Sequence, residues 1–229
     1  DLSLTRFEQK NVFLPPRAVN LRQGKPLWQE LSDAGISSVV LRCPCTFPPD
    51  RVRGRVLSGM GVPDLRGSLG TPTFYTTRPD ARAGESEVLI SIEVRQGTVR
   101  THLPGPRTGR GDAFVSVPFV LHLHPDSRVA VLRSDGDPSE LRLQENAWSD
   151  WLRLRFKLGA LRSVPGVVRF FLRSACPEVE LYASPINFDP GADLPYPISA
   201  PDTYAQELVA AVGTFHSAGM PEDHTGLNN

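Results

Sequence analysis

The spacing of apolar residues first predicts a short helix. Leu27, Trp28 and Leu31 lie at intervals that place them on one side of a helical turn. Pro26 suits the first turn of a helix, where its missing N–H would have no partner, and Gly35 is typical of the position just past a helix end. We therefore predict a helix between Pro26 and Gly35.

A short run rich in β-branched residues follows this helix. Residues 36–41, ISSVVL, are typical of a strand buried on both faces, and residues 71–77 predict a further strand. The order helix, glycine, strand is half of a parallel α/β unit. Ligands of open α/β sheets lie at the carboxyl ends of the strands, which is where Arg42 and the loop up to Pro49 fall.

Apolar and polar residues alternate in the middle of the chain. The alternating segments are 87–94, 99–103, 113–123, 128–133, 140–143, 151–156 and 167–172. Turn residues such as Gln96-Gly97 separate them at intervals of roughly 8–12 residues, as in an antiparallel sheet or sandwich. We interpret this region as a β-rich cap module inserted into an α/β framework.

The last part of the chain returns to the framework pattern. Residues 178–183 predict a strand, and the apolar stripe of Leu208, Val209 and Val212 predicts a helix from Pro201 to about Phe215. Residues 1–24 predict an irregular connecting arm. The predicted α/β fold is divided into three segments, which are the framework at 1–83, the inserted cap at 84–175 and the returning framework at 176–229.

Residues 58–70, SGMGVPDLRGSLG, follow neither periodicity. Glycine permits positive φ or close backbone approach, and Pro63 restricts its own backbone and that of the preceding residue. A dinucleotide-binding fingerprint is excluded, because Asp64 occupies the position of its third glycine. The stretch is either a surface connection or a functional loop, since long loops without secondary structure are often functional.

Composition narrows the class of protein. The chain has 229 residues, 40% of them hydrophobic and 22% charged, with a formal net charge of zero. Zero net charge argues against a nucleic-acid-binding protein that acts by neutralising phosphates. No apolar run approaches the ~20 residues that a membrane-spanning helix needs. We therefore expect a soluble globular protein with no transmembrane segment.

The cysteines indicate a reducing compartment. Cys43, Cys45 and Cys176 are odd in number and few, which does not suit a disulfide framework. The Cys-x-Cys pair has no second pair to complete a structural zinc site. We predict buried, inert thiols and a cytoplasmic location.

Three groups of polar residues could carry chemistry. His122 and His124 lie two apart on a predicted strand, where they are either metal ligands or solvent-facing residues opposite a leucine face. Glu222, Asp223 and His224 form an acid–acid–imidazole cluster that could line an active-site loop. Such clusters are also common on ordinary surfaces.

Basic residues form the third group. Arg153, Arg155 and Lys157 alternate along one face of a predicted strand, with Trp148 and Trp151 nearby. The positions that could extend this face are Arg162, Arg169 and Arg173. The face is either a solvated surface or a wall directed at an anionic ligand. We predict that the two tryptophans are core residues, not a platform on which a ligand stacks.

Several motifs together resemble a known family. They are residues 24–35 (GKPLWQELSDAG), 41–49 (LRCPCTFPP), 57–67 (LSGMGVPDLRG), 181–190 (LYASPINFDP) and 219–223 (GMPED). In this order they resemble the predicted phosphohydrolase/phosphomutase branch of the alkaline phosphatase superfamily, which is related to type I phosphodiesterases and nucleotide pyrophosphatases. The resemblance covers nearly the whole chain.

The resemblance implies a metal-dependent phosphoester hydrolase. Its core would be alkaline-phosphatase-like and α/β, with two divalent metal ions, usually zinc, and a Thr or Ser nucleophile that forms a phospho-enzyme. The family's nucleophile and metal-ligand motifs have no counterpart in these 229 residues, so we expect a central, cap-bearing segment that is inactive alone. The segment would supply substrate-pocket loops, and no catalytic or metal-binding residue is assigned in it.

Four residues in family-like loops after strands are the candidate substrate-binding residues. They are Arg42, Asp64, Arg66 and Asn187. The alternative is that these side chains hold their loops in shape through hydrogen bonds. The sequence leaves open the substrate, the choice between monoesterase, diesterase and mutase chemistry, and the oligomeric state. The competing class is a non-enzymatic β-sandwich module that binds an anionic or phosphorylated partner through its arginine face.

Overall fold

The structure is a computed structural model that describes most of the chain. The described residues are 5–8, 17–68, 70–84, 87–107, 114–135, 137–159 and 163–217. They form two compact units, a first unit of residues 5–63 with 188–217 and a second unit of Asp64–Asn187. Strands hold 46% of the described residues and helices 10%.

The first unit contains both α-helices of the described residues and five strands. Its elements are β1 (Thr5–Glu8), β2 (Arg17–Asn20), α1 (Leu27–Asp33), β3 (Ser38–Cys43), β4 (Gly54–Ser58), β16 (Ser199–Ala200) and α2 (Tyr204–Val212). β1 pairs with β2, and the other strands form a sheet in the order β16-β4-β3. A cluster of buried residues packs between these elements, formed by Phe47, Leu57, Val62, Ile198, Tyr204 and Ala205.

The second unit is built from strands. They are β5 (Thr73–Thr76), β6 (Val88–Ser91), β7 (Thr98–Arg107), β8 (Phe114–His124), β9 (Val129–Ser134), β10 (Asp137–Gln144), β11 (Leu152–Lys157), β12 (Ser163–Val168), β13 (Phe170–Ser174), β14 (Glu180–Ala183) and β15 (Asn187–Phe188), whose first residue ends the unit. The sheets have the orders β10-β9-β8-β7, β13-β14-β5-β6 and β11-β12-β15.

The predicted α/β fold class, with an alkaline-phosphatase-like core, is wrong for the described residues. The chain forms several small sheets and two α-helices, not one parallel sheet covered by helices. β3 and β4 pair in parallel, but the chain between them contains no helix. A second parallel pair is formed by β5 and β6. β5 lies between β14, which was also predicted to belong to the framework, and β6, which falls in the predicted cap.

Both predicted helices are confirmed. α1 begins after Pro26 and is followed by Gly35 at φ +76°, a left-handed conformation that glycine adopts without strain. α2 begins at Tyr204 and ends at Val212, three residues short of the predicted end at Phe215. The irregular arm predicted for residues 1–24 is wrong at residues 5–8 and 17–20, where β1 and β2 pair, whereas residues 21–24 are irregular as predicted.

β3 differs from its predicted burial. Val39 is 61% exposed and Leu41 57% exposed, whereas the sequence predicted burial on both faces. Among the described residues, β3 is the last strand of its sheet and has one hydrogen-bonded neighbour, β4. The register shifts between Leu41 and Cys43, so Arg42 is the extra residue of a bulge, with φ 51°.

The alternation predicted for the middle of the chain is confirmed within the second unit. Gln96 and Gly97 both have positive φ and form a two-residue turn closed by reciprocal hydrogen bonds between Arg95 and Thr98. Leu121 and Leu123 of β8 are buried, while His122 is half-buried and His124 exposed, as the solvent-facing alternative predicted. The domain limits at residues 84 and 175 stay a prediction.

Two further expectations change. The three cysteines are free thiols, half-buried at Cys43 and Cys45 and exposed at Cys176, so the prediction that they are buried is wrong. The strand predicted at residues 167–172 is two strands, β12 and β13, which are separated by Arg169. This break between strands sets the position of the Arg169 side chain.

Candidate functional site

The loop that begins the second unit is organised around the carboxylate of Asp64. This side chain is 1% exposed. Its Oδ1 accepts hydrogen bonds from the backbone N–H groups of Arg66 and Ser68, both at 2.9 Å. Its Oδ2 accepts hydrogen bonds from the Ser68 hydroxyl at 2.7 Å and the Thr71 N–H at 2.9 Å. Four donors therefore occupy this carboxylate, which favours the loop-holding interpretation of Asp64.

The Arg66 side chain, unlike that of Asp64, has an unsatisfied hydrogen-bonding group. It is half-buried, and its Nη1 atom is buried without a hydrogen-bond partner in the described part of the chain. Asp64 cannot serve as that partner, because its oxygens are already occupied. A buried donor without an acceptor costs about 1–3 kcal/mol, and more when the group is charged. Arg66 therefore carries a partly buried positive charge with one N–H group that no acceptor satisfies.

A second arginine lies beside the first. The guanidinium carbons of Arg66 and Arg107 lie 5.2 and 5.3 Å from the ring centre of Phe114. Cation–π contacts of this kind hold a guanidinium without using its N–H groups. The Phe114 ring is 39% exposed, so this cluster reaches the surface of the second unit. We call Arg66, Arg107 and Phe114 the arginine pair site.

The electrostatics of the site favour a bound anion. Burial lowers the pKa of the Arg66 guanidinium, and the nearby charge of Arg107 lowers this pKa further, while Asp64 and Tyr75 act against them. The guanidinium stays protonated, since its usual pKa lies far above physiological pH. Each lowering effect is a penalty on the charged form that an oxyanion would relieve.

Asn187 lies on the backbone segment next to Arg66. The Leu65 N–H donates to the carbonyl oxygen of Ile186 at 2.8 Å, so Arg66 and Asn187 each follow one member of this hydrogen-bonded pair. The Asn187 amide nitrogen donates to the Pro185 carbonyl at 3.0 Å. Its Oδ1 is buried without a partner, and the residue is 5% exposed. Asn187 thus has an unused acceptor, on a segment that is hydrogen-bonded to the loop of Arg66.

Arg42 belongs to the first unit. It is exposed and occupies the bulge of β3, where its backbone carbonyl packs against Gly59. Glu222, Asp223 and His224 lie outside the described residues. Arg42, the loop of Asp64 and Arg66, and Asn187 are therefore the predicted site residues to which the structure assigns a place.

The predicted arginine face is shorter than the sequence indicated. Arg153, Arg155 and Lys157 are exposed on one side of β11, in strict alternation with buried residues. Arg173 instead forms an ion pair with Glu180 at 3.4 Å, and Arg162 lies outside the described residues. Arg169 is taken up in contacts with tryptophan rings.

The donor set does not fit the two-metal centre that the resemblance implies. Within the described ranges, no three His, Cys, Asp or Glu side chains converge on a point where they could hold a metal ion. Asp64, the buried carboxylate of the candidate loop, is fully hydrogen-bonded within that loop. The described residues therefore supply no metal site to the proposed function.

Sequence reasoning missed Arg107 and Phe114. Both are more than 40 positions from Arg66 along the chain, and nothing local connects them. They are adjacent because the long strands β7 and β8 pair with Arg107 opposite Phe114. The available signal was the alternation in both strands, which places residues of one pair on the same face of the sheet.

Comparisons of the chain with protein-family models, curated proteins and solved structures found no match. None of the helices in the described ranges combines the length and apolar character needed to cross a membrane.

Proposed function

We propose that this chain binds the phosphoryl group of a phosphoester substrate and is the substrate-binding segment of a phosphoester hydrolase. The observation that carries the proposal is the buried, unpartnered Nη1 of Arg66. A guanidinium presents its N–H groups in a planar fork that matches the oxygens of a phosphate. The motifs that resemble the phosphohydrolase/phosphomutase branch include residues 57–67, which contain this arginine.

The arginine pair site suits an oxyanion better than it suits a neutral ligand. Its cationic groups come from Arg66 and Arg107, and the carboxylate of Asp64 is turned to the loop backbone. The backbone N–H groups of Arg66, Ser68 and Thr71 are used by the same carboxylate, so they do not form an anion nest. Binding must therefore come from the guanidinium group of Arg66, with Arg107 adding positive charge nearby.

A charge-conserving substitution tests this function. Arg66→Lys keeps the positive charge but loses the planar fork, and Arg66→Met removes both. We expect inorganic phosphate to shift the amide NMR signals of Gly67 and Ser68 in the wild-type chain. Charge-assisted hydrogen bonds contribute about 1.5–3 kcal/mol, so Arg66→Met should weaken binding by roughly 10- to 100-fold.

Arg95→Lys is the matched control. Arg95 lies in the same unit and forms an exposed ion pair with Glu93 at 2.8 Å, so its substitution should leave phosphate binding unchanged. Equal binding by the wild-type chain and Arg66→Met would disprove the assignment of the site. Unchanged thermal unfolding in Arg66→Lys would separate lost binding from lost folding.

The enzymatic part needs a separate assay on the complete gene product. We expect hydrolysis of a chromogenic phosphomonoester or phosphodiester in the presence of zinc or manganese, with KM raised in Arg66→Lys. The preferred ester would identify the substrate class. Phosphate binding without hydrolysis of either ester would instead favour a non-enzymatic binding module.

The outward face of β11 supports that second class. Arg153, Arg155 and Lys157 are exposed at every second residue, which places their side chains about 7 Å apart along the strand. Replacing all three by Gln should abolish binding of an anionic partner if this face is the functional surface. The same triple variant should leave phosphate binding at Arg66 unchanged.

A further inference from the structure

The side chain of Arg169 lies between two tryptophan rings. Its guanidinium carbon is 5.6 Å from the ring centre of Trp148 and 5.3 Å from that of Trp151. All three residues are half-buried in the second unit. Cation–π contacts contribute about 0.5–1 kcal/mol each at exposed sites and more when water is excluded. Two such contacts restrict the position of the guanidinium group.

Hydrogen bonds also hold the side chain and the backbone of Arg169 in place. The Arg169 Nε donates to the Ser149 carbonyl oxygen at 2.8 Å. Ser149 is itself buried, and its hydroxyl oxygen accepts the Phe170 N–H at 2.9 Å. The backbone N–H of Arg169 donates to the Ser184 hydroxyl at 3.0 Å. The position of this arginine is therefore set by the segment before β11 and by the loop after β14.

The end of the guanidinium is left unused. Within the described part of the chain, the two Nη atoms of Arg169 have no hydrogen-bond partner and no carboxylate within ion-pair distance, and they are not buried. Neighbouring arginines differ, since Arg78 and Arg173 both pair with Glu180, at 3.2 and 3.4 Å. Arg169 thus presents a rigid two-nitrogen edge to solvent.

The surroundings add positive charge along one face. Leu152 and Val168 are paired across β11 and β12, so Trp151 and Arg169 extend the same ladder by one residue. Alternation then places Arg153 and Arg155 on the same side as Trp151. An anion that approaches the Arg169 edge meets additional cations along β11.

We propose that Trp148, Trp151 and Arg169 form a second ligand site, which binds an oxyanion carried on a flat apolar group. The Nη edge binds the phosphate or carboxylate by paired hydrogen bonds, and the partly exposed indoles contact the ring that carries it. The site shares no residue with the arginine pair site, so it does not depend on the proposed function. Because its groups are already held in place, little conformational entropy is lost on binding.

NMR of the indole N–H groups tests this site on the 229-residue chain. The chain has three tryptophans, and Trp28 serves as an internal reference because its indole nitrogen donates to Asp50 at 2.7 Å in the first unit. We expect phenyl phosphate and benzoate to shift the Trp148 and Trp151 signals in a saturable manner and to leave Trp28 unchanged. Inorganic phosphate should bind about tenfold more weakly, because it lacks the ring.

Variants distinguish a ligand site from a cluster in which Arg169 and the two indoles have only a structural role. Arg169→Lys keeps the charge but loses the paired N–H edge, and we expect Kd for phenyl phosphate to rise about tenfold. Arg173→Lys is the matched control, since Arg173 is an exposed arginine of the next strand that already has a carboxylate partner. Arg66→Lys should leave the indole shifts intact, which distinguishes this site from the arginine pair site.

Specific results would overturn the proposal. The site does not exist if no ligand produces a saturable shift at the two indoles, or if Arg169→Lys binds phenyl phosphate as the wild type does. Equal affinity for inorganic phosphate and phenyl phosphate would remove the role of the indoles. Binding of phenyl phosphate without benzoate would restrict the site to phosphate, and the reverse would restrict it to carboxylate.

Discussion

Strands β3 and β9 share the central sequence Val-Leu-Arg and have opposite environments. Residues 38–43 read SVVLRC and residues 129–134 read VAVLRS. Leu41 in the first is 57% exposed, whereas Leu132 in the second is fully buried. β9 lies between β8 and β10 in its sheet, while β3 has a single neighbour in the described part of the chain. A strand's burial is therefore decided by its partners, which the local pattern does not contain.

The two leucines give the largest test of this contrast. Leu132→Ala should lower the free energy of unfolding by about 2–5 kcal/mol, because it leaves a cavity in a packed core. Leu41→Ala should change it by less than about 0.5 kcal/mol, as exposed positions usually do. Urea unfolding of both variants measures the difference. A loss at Leu41 as large as that at Leu132 would mean that β3 is covered in solution.

A close approach between backbones gives the next test. A Cβ atom built on Gly59 would lie 2.2 Å from the carbonyl oxygen of Arg42, so no larger residue fits without moving the bulge of β3. Gly59→Ala should therefore destabilise the first unit by about 1–3 kcal/mol.

Gly159→Ala is the control for this substitution. A Cβ there would meet no atom within 4 Å, and Gly159 has ordinary φ, so the variant should be neutral or slightly stabilising. Thermal unfolding compares the two. An unchanged Tm in Gly59→Ala would show that β3 and the loop after β4 can separate without loss of stability.

The sequence predicted the elements better than their arrangement. Both helices were found, because Pro26 and Gly35 at the limits of α1 act through local backbone preferences. The parallel core was wrong because a run such as residues 36–41 was assigned two covered faces that only tertiary partners could supply. β4 was missed, since Gly54 and Arg55 interrupt its apolar pattern.

The candidate site likewise has one feature that the local sequence predicts and others that it does not. The loop role of Asp64 has a local signal, because an aspartate followed by glycine and serine commonly accepts hydrogen bonds from the next few N–H groups. The unused donor of Arg66 has no such signal, since it depends on Arg107 and Phe114 in distant strands. The contacts of Arg169 with the two indoles likewise have no signal in the local sequence.

The pH dependence of the free energy of unfolding tests whether water is excluded from Tyr75 in the interior of the second unit. Burial raises the pKa of Tyr75 well above its usual value, opposed by the charge of Arg66. Below about pH 10 the tyrosine is neutral in both states. Above it the unfolded chain loses the proton while buried Tyr75 keeps it, so stability should fall by up to about 1.4 kcal/mol per pH unit.

Tyr75→Phe isolates this contribution. The variant loses the hydrogen bond from the Tyr75 hydroxyl to the His102 carbonyl oxygen, which is 2.9 Å long, and should be about 1 kcal/mol less stable at neutral pH. Its stability should then decline less steeply than that of the wild type between pH 10 and 11. Identical slopes in urea unfolding would show that water reaches Tyr75.

The smallest expected effect compares Arg42 with Arg133, the matching positions of β3 and β9. Arg42 has φ 51°, a left-handed conformation that carries roughly 1 kcal/mol of strain, so Arg42→Gly relieves strain while it adds flexibility to the unfolded chain. The two effects offset each other, and stability should stay nearly unchanged.

Arg133→Gly should behave differently, although the substitution is the same. Arg133 lies in a central strand and pairs with Glu140 across the sheet, so glycine removes both strand preference and an exposed ion pair. The expected loss is about 1 kcal/mol, measured by urea unfolding beside Arg42→Gly. Equal losses in the two variants would mean that the bulge at Arg42 is not strained and that β3 continues as a regular strand.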